Sequence, residues 1–118
     1  MDAYVNKFIH IRQVNQDLVL SDVFELSNTG GLTVVYTCTN DDVFFSVACC
    51  SQRDQFSRTI GRKVALERLL KEGPLDILAA VHPIGDSIIE WIELNYFDKP
   101  VKIFRREHRW VSTFEEIA

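Results

Sequence analysis

Between positions 53 and 71 the chain carries six cationic side chains, Arg53, Arg58, Arg62, Lys63, Arg68 and Lys71, against two carboxylates, Asp54 and Glu67, although its formal net charge is −4. Arg58 and Arg62 stand four apart, which on a helix makes them neighbours on one face, with Gly61 and Ala65 beside them. Guanidinium forks match phosphate oxygens bidentately, and small residues next to them leave room for a flat anionic group. The competing reading is a solvated helix face whose arginines pair with acids such as Glu67 and Glu72, the common fate of surface charge. Gly61 weighs against it. A glycine inside a helix costs about 1 kcal/mol relative to alanine, so its position implies the close approach of another backbone or a ligand.

A second cationic cluster follows Lys102: Arg105, Arg106 and Arg109, with Trp110. Read as one strand, it places Arg105 and Arg109 on the face of Ile103 and Arg106 on the other. Arginine beside an aromatic ring can stack on a nucleobase while neutralising phosphate; a charged edge strand guarded against aggregation fits the same residues. The candidate ligand-binding residues are therefore Arg58, Arg62, Arg105 and Arg109. Trp91, Tyr96 and Phe97 would suit a pocket for a planar ring, but aromatic residues at helical spacing are more often core, and Trp91 is assigned to the core.

Chemistry beyond binding has little to stand on. His82, beside Pro83, is a candidate acid–base group with no serine, cysteine or carboxylate partner that spacing places near it. The chain has no Walker loop, no GxGxxG and no HExxH. His10, His82 and His108 stand at no ligand spacing relative to Cys38, Cys49 and Cys50. Vicinal Cys49 and Cys50 would point to opposite faces of a strand, a poor metal clamp. The expectation is no catalytic residue, no metal and no cofactor, with the cysteines reduced and buried as small hydrophobes.

The elements that must position these residues follow from periodicity. LTVVYTCT and VFFSVACC flank the polar turn Asn40-Asp41-Asp42 and predict a β-hairpin over residues 32–50. Apolar residues on both sides of the second strand make it central or covered on both faces. KFIHIRQV and DLVLSDVFEL read as two earlier strands with a turn at Asn15-Gln16, and short connections imply an antiparallel meander. Ser51 with Asp54 resembles a capping box opening the basic helix, in which Phe56, Ile60 and Val64 form an apolar stripe widened by Leu66, Leu69 and Leu70; Gly73-Pro74 stops it. Segment 75–82 suits a short helix or a buried strand. Asp86 or Ser87 would cap a second helix, SIIEWIELNYF; VKIFRREHRWV returns as a last strand, and STFEEIA is a loosely held tail. The reading is one α+β domain over residues 1–118: an antiparallel sheet of four to five strands with two helices packed on one face.

Hydrophobic residues make up 47% and charged residues 25%, which is globular rather than disordered composition. A pI near 5.3 argues against duplex DNA as a partner. No apolar run approaches the ~20 residues of a membrane span, and MDAYVNKFIHIRQ lacks the apolar core of a signal peptide. A soluble, cytoplasmic protein is the expectation.

The stretch VFFSVACCSQRDQFSRTIGRKVALERLL, 28 of the 118 residues, resembles a pattern of small bacteriophage proteins. A hairpin strand with an apolar-cysteine end leads into D-x-F-[SN]-[KR]-x-x-G-R and A-x-x-R-L, here Asp54, Phe56, Ser57, Arg58, Gly61, Arg62, Ala65, Arg68 and Leu69. The pattern is similar to that of the phage Thoeris anti-defence sponge proteins. The resemblance implies a non-enzymatic homo-oligomer in the host cytoplasm that sequesters a small cyclic nucleotide ligand of the cyclic ADP-ribose type, and in some members cyclic oligonucleotides at a separate site. It maps the motif arginines to Arg58 and Arg62; Arg105 and Arg109 are added from charge and aromatic neighbours alone. A second expectation is a small inhibitory protein-interaction module acting through its acidic N-terminal half, since residues 1–52 hold six acids and two basic residues.

Overall fold

Alternation of apolar side chains along the central hairpin gives the sheet two buried faces, and the whole architecture follows from covering both. The computed structural model describes residues 5–14 and 26–112. Strand β1 (Lys7–Gln13) pairs antiparallel with β2 (Leu32–Cys38), β2 with β3 (Asp42–Cys49), and β3 with β4 (Asp76–Ala79). Helix α1 (Arg58–Glu72) lies between β3 and β4 in the chain; helix α2 (Ile84–Trp91) and a π-helical turn (Ile92–Tyr96) lead to the hairpin of β5 (Ile103–Arg106) and β6 (Arg109–Ser112). The strand order is β4-β3-β2-β1-β6-β5.

Ile11, Leu32, Val34, Val43, Phe45 and Val47 form one face, packed against Ile88, Ile89 and Ile92 from α2 and the π-helical turn. Phe45 is fully buried with its ring edge-on to Trp91 at 5.1 Å, so Trp91 belongs to the core as expected. The other face buries Val35 and Ala48 against Ala65 of α1, with Phe8, Val64, Leu66 and Leu69 at the margin. Strand β3 is covered on both faces, as its doubly apolar pattern predicts.

Four expectations need correcting. The sheet has six strands and is mixed, because β6 runs parallel to β1 (Ile11 opposite Trp110, Arg12 opposite Val111). The helices pack on opposite faces, since both faces of the hairpin are apolar and one helix cannot cover both. Of the two readings of segment 75–82 the strand forms, as β4, but at the sheet edge and largely exposed rather than buried. Residues 101–111 form a hairpin rather than one strand: Glu107 and His108 both take positive φ, 50° and 66°, which is the backbone of a two-residue type I′ turn. The usual glycine signature of that turn is missing, so the sequence conceals it.

The helix starts also shift. Ser57, not Ser51, caps α1, its Oγ accepting from the Ile60 N–H at 3.2 Å. Ser51 instead closes a turn: its carbonyl accepts from the Asp54 N–H at 3.0 Å and its Oγ from the Arg53 N–H at 3.2 Å. Phe56 thus precedes the helix rather than belonging to its stripe. Helix α2 begins at Ile84 behind Pro83, which has no N–H to leave unpaired, while Ser87 Oγ donates back to the Val81 carbonyl at 3.1 Å. Gly73 ends α1 with φ of 82°, as anticipated. The expected strand at 17–26 falls mostly outside the described residues, Leu26 bridging Val14 being the described part; the turn at Asn15-Gln16 and the tail beyond Ser112 fall outside them too. Among the described residues no helix is long and apolar enough to cross a membrane.

Candidate functional site: an arginine face beside a cavity

The α1 side of β1 carries Phe8, His10 and Arg12, because Ile9 and Ile11 on the alternate positions face the α2 core. The first turns of α1 descend onto this side. Their approach depends on Gly61: a Cβ there would meet the Thr33 side chain, with Thr33 Cβ at 2.9 Å and Oγ1 closer still. The space beside the arginine pair is therefore taken by the sheet, which corrects the expectation that Gly61 and Ala65 leave room for a ligand; Ala65 is fully buried.

With the helix this close, its arginines reach across to β1. Arg62 Nε donates to His10 Nε2 at 3.5 Å, so His10 carries its proton on Nδ1 and donates to Thr33 Oγ1 at 3.0 Å. Burial first, then the charges of Arg58, Arg62 and Arg12, lower the His10 pKa from 6.5 to about 4. Arg12 lies with its guanidinium carbon 4.5 Å above the Phe56 ring and donates to the Ser27 carbonyl at 3.0 Å; its Nε is buried without a hydrogen-bond partner among the described residues. Burial, then Arg58 and Arg109, hold Arg12 below its ordinary value. The charges that lower both groups are guanidiniums.

Three of the four expected site residues are thereby gathered. Arg58 and Arg62 come from the helix; Arg109 arrives from β6, on the same face as Val111 and hence as Arg12. Arg105 is not part of the group. It sits opposite Trp110 in the hairpin, its guanidinium 4.9 Å from that ring, on the other face of the sheet. Expecting Arg105 and Arg109 to share a face fails because the Glu107-His108 turn inverts the relation. Arg68 is committed elsewhere, donating to the Val47 carbonyl at 2.9 Å and anchoring α1 to β3. Arg12, His10 and Phe56 are the residues that sequence reasoning missed. A period-two signal existed, basic Arg12 and His10 alternating with Ile9 and Ile11, but nothing local says which element covers that side.

Against β3, on the other flank of α1 from Arg58 and Arg62, lies a cavity of about 370 Å³. Thr33, Ala48, Ile60, Gly61 and Val64 line it, with Cys50, Asp54 and Phe56 from the loop that precedes the helix. Cys50 is folded into that loop, its thiol pointing at the Asp54 carbonyl at 3.4 Å. All three cysteines are free thiols; Cys49 is exposed and Cys38 and Cys50 are half-buried, so they are less buried than expected. His82 is exposed. Among the described residues no three His, Cys, Asp or Glu side chains gather where they could hold a metal ion. Four of the six acids of the N-terminal half, Asp2, Asp17, Asp22 and Glu25, lie outside the described residues.

No family model, no curated protein and no solved structure matches the chain.

Proposed function

We propose that this chain binds a small phosphate-bearing nucleotide on the Arg12–Arg58–Arg62–Arg109 face and holds it without turnover. The observation that carries the reading is the convergence of Arg12, Arg58 and Arg62 on a neutral His10, with Arg109 beside Arg12. Arg58, Arg62 and Arg109 are exposed and Arg12 is half-buried, so the face is open to a polyanion, which would make charge-assisted hydrogen bonds with these guanidiniums. His10 is a poor acid–base group here, since it is held neutral near pH 7 with both ring nitrogens engaged. Tight holding without a poised nucleophile is what sequestration requires. Together with the resemblance of residues 43–70, this supports a phage anti-defence protein that takes up a cyclic nucleotide immune signal of the cyclic ADP-ribose or cyclic oligonucleotide type.

The reading extends to a homo-oligomer, through the edge strand β4. Ile77 on β4 and Leu75 just before it are 48% and 47% exposed, and an apolar edge strand invites a second strand. The deciding test is native mass spectrometry with a panel of cyclic nucleotides, on the wild-type chain and on Arg62→Glu. An adduct on the wild type, released intact on denaturation and lost in the folded variant, is the expected outcome. Equal adducts on both proteins would remove the arginine face from the argument.

A further inference from the structure

We infer that the uncovered edge of β3 at Val47 takes the C-terminal end of an extended peptide, its carboxylate held by Arg68, Ser46 and the Val47 N–H. This site lies away from the arginine face and does not rest on the reading above. It arises where the sheet ladder stops. Along β3 the odd-numbered residues turn their backbone groups towards β4: Asp41 and Phe45 accept there from Ala80 and Leu75, while Cys50 donates the other way, to Gly31. Pairing with β4 ends at Phe45, opposite Asp76. Continued in register, the ladder would set Pro74 against Val47, and proline has no N–H to donate. Val47 and Cys49 are left with edge-facing backbone groups that no strand covers among the described residues.

A pocket of about 400 Å³ occupies this gap, within the ~300–1,000 Å³ of small-molecule sites, and Ser46, Val47, Arg68, Leu75 and Tyr96 line it. Arg68 supplies the donor that Pro74 lacks, giving one N–H to the Val47 carbonyl at 2.9 Å. Its other N–H groups have no carboxylate partner among the described residues, although Glu72, one helical turn on, also lines the pocket. Ser46 is only 5% exposed, yet its hydroxyl has no hydrogen-bond partner among the described residues. Tyr96 closes the π-helical turn, a form that recurs at functional sites. Burial first, then Cys49, raise its pKa while Arg68 lowers it, so the phenol stands near both.

This set defines the occupant. The Val47 N–H, the remaining guanidinium N–H groups and the Ser46 and Tyr96 hydroxyls can all donate, so together they favour an anionic acceptor. With the Val47 carbonyl taken by Arg68, the ligand needs no N–H at that position. A chain-end carboxylate meets both conditions, since it accepts on two oxygens and donates nothing. Further along the edge Cys49 offers an N–H and a C=O, the pair that an added strand uses. A peptide antiparallel to β3 therefore runs from Cys49 to Val47 and ends there.

The probes are acetyl-Thr-Val-Thr-Val with a free C-terminus, its C-terminal amide and sodium acetate, titrated into the full chain and followed by amide NMR. The free acid should bind about tenfold more tightly than the amide, the gain of a charge-assisted hydrogen bond. It should slow hydrogen exchange at both Val47 and Cys49, whereas acetate leaves Cys49 unprotected. Arg68→Gln keeps a donor for the Val47 carbonyl and should bring acid and amide to equal affinity. Ser46→Ala should weaken the acid severalfold and leave the denaturation midpoint unchanged or raised, because the hydroxyl it removes is unpaired in the free chain. Equal binding of acid and amide by the wild type would overturn the carboxylate assignment. Acetate binding as tightly as the peptide, with Cys49 unprotected, would overturn the strand addition. If no probe shifts Val47 the inference falls, whatever nucleotides do on the arginine face.

Discussion

His10 shows how a residue that the sequence leaves unremarkable becomes central once its neighbours are known. Its folded pKa of about 4 lies below the unfolded 6.5, so between those values the unfolded chain binds more protons than the folded one. Stability therefore rises with pH across that window and is lost as pH falls from about 6.5 towards 4. Urea titrations of wild type and His10→Gln over this range should differ in slope, the variant being flatter; equal slopes would show that His10 is not held neutral. A bound anion offsets the arginine charges and moves the His10 pKa back up, so binding should take up protons and tighten as pH falls through the same window. Calorimetry in two buffers of different ionisation enthalpy reads that uptake directly. The hairpin arginines give a second residue-scale test. Arg109→Ala should weaken nucleotide binding severalfold while Arg105→Ala leaves it unchanged, because the turn sends them to opposite faces.

Helix α1 owes its position to one glycine. Replacing Gly61 by alanine gains roughly 1 kcal/mol of helix propensity but drives a Cβ into Thr33, and overpacking of this kind costs about 1–3 kcal/mol. The steric effect wins, so Gly61→Ala should lower stability and, by lifting the helix, loosen Arg62 from His10. The same change made on a Thr33→Ala background should become neutral or stabilising, a coupling that a double-mutant cycle of denaturation midpoints will show. Ser57→Ala should cost about 1 kcal/mol as an N-cap loss, whereas Ser51→Ala should cost less, because Ser51 caps only a turn. The two serines carry the same capping chemistry. What separates them is Phe56, which docks against Gly31, where a Cβ would meet its ring at 2.9 Å, and so delays the helix to Arg58.

For the molecule as a whole, binding on a face of guanidiniums should weaken as ionic strength rises, and Ile77→Lys should convert an oligomer built through β4 into monomers, as light scattering will report. The local layers of this fold were legible in the sequence: the 32–50 hairpin, the central character of β3, the glycine stop of α1 and the core assignment of Trp91 all follow from periods of two and 3.6 and from turn chemistry within a few residues. The arginine pair on α1 was legible in the same way, since residues four apart share a face whatever surrounds them. Opposite placement of the two helices and the parallel β1–β6 pair were not, because each depends on contacts between residues far apart in the chain. The site needed both kinds of information. Sequence alone determined an α+β chain with a basic helix behind a β-hairpin; tertiary structure decided that Arg12 joins Arg58 and Arg62 around His10 with Arg109 beside Arg12, that Arg105 lies on the other face, and that a cavity opens on the β3 flank of α1. The physical reason is that strand periodicity says which side chains share a face, while only packing says what covers that face.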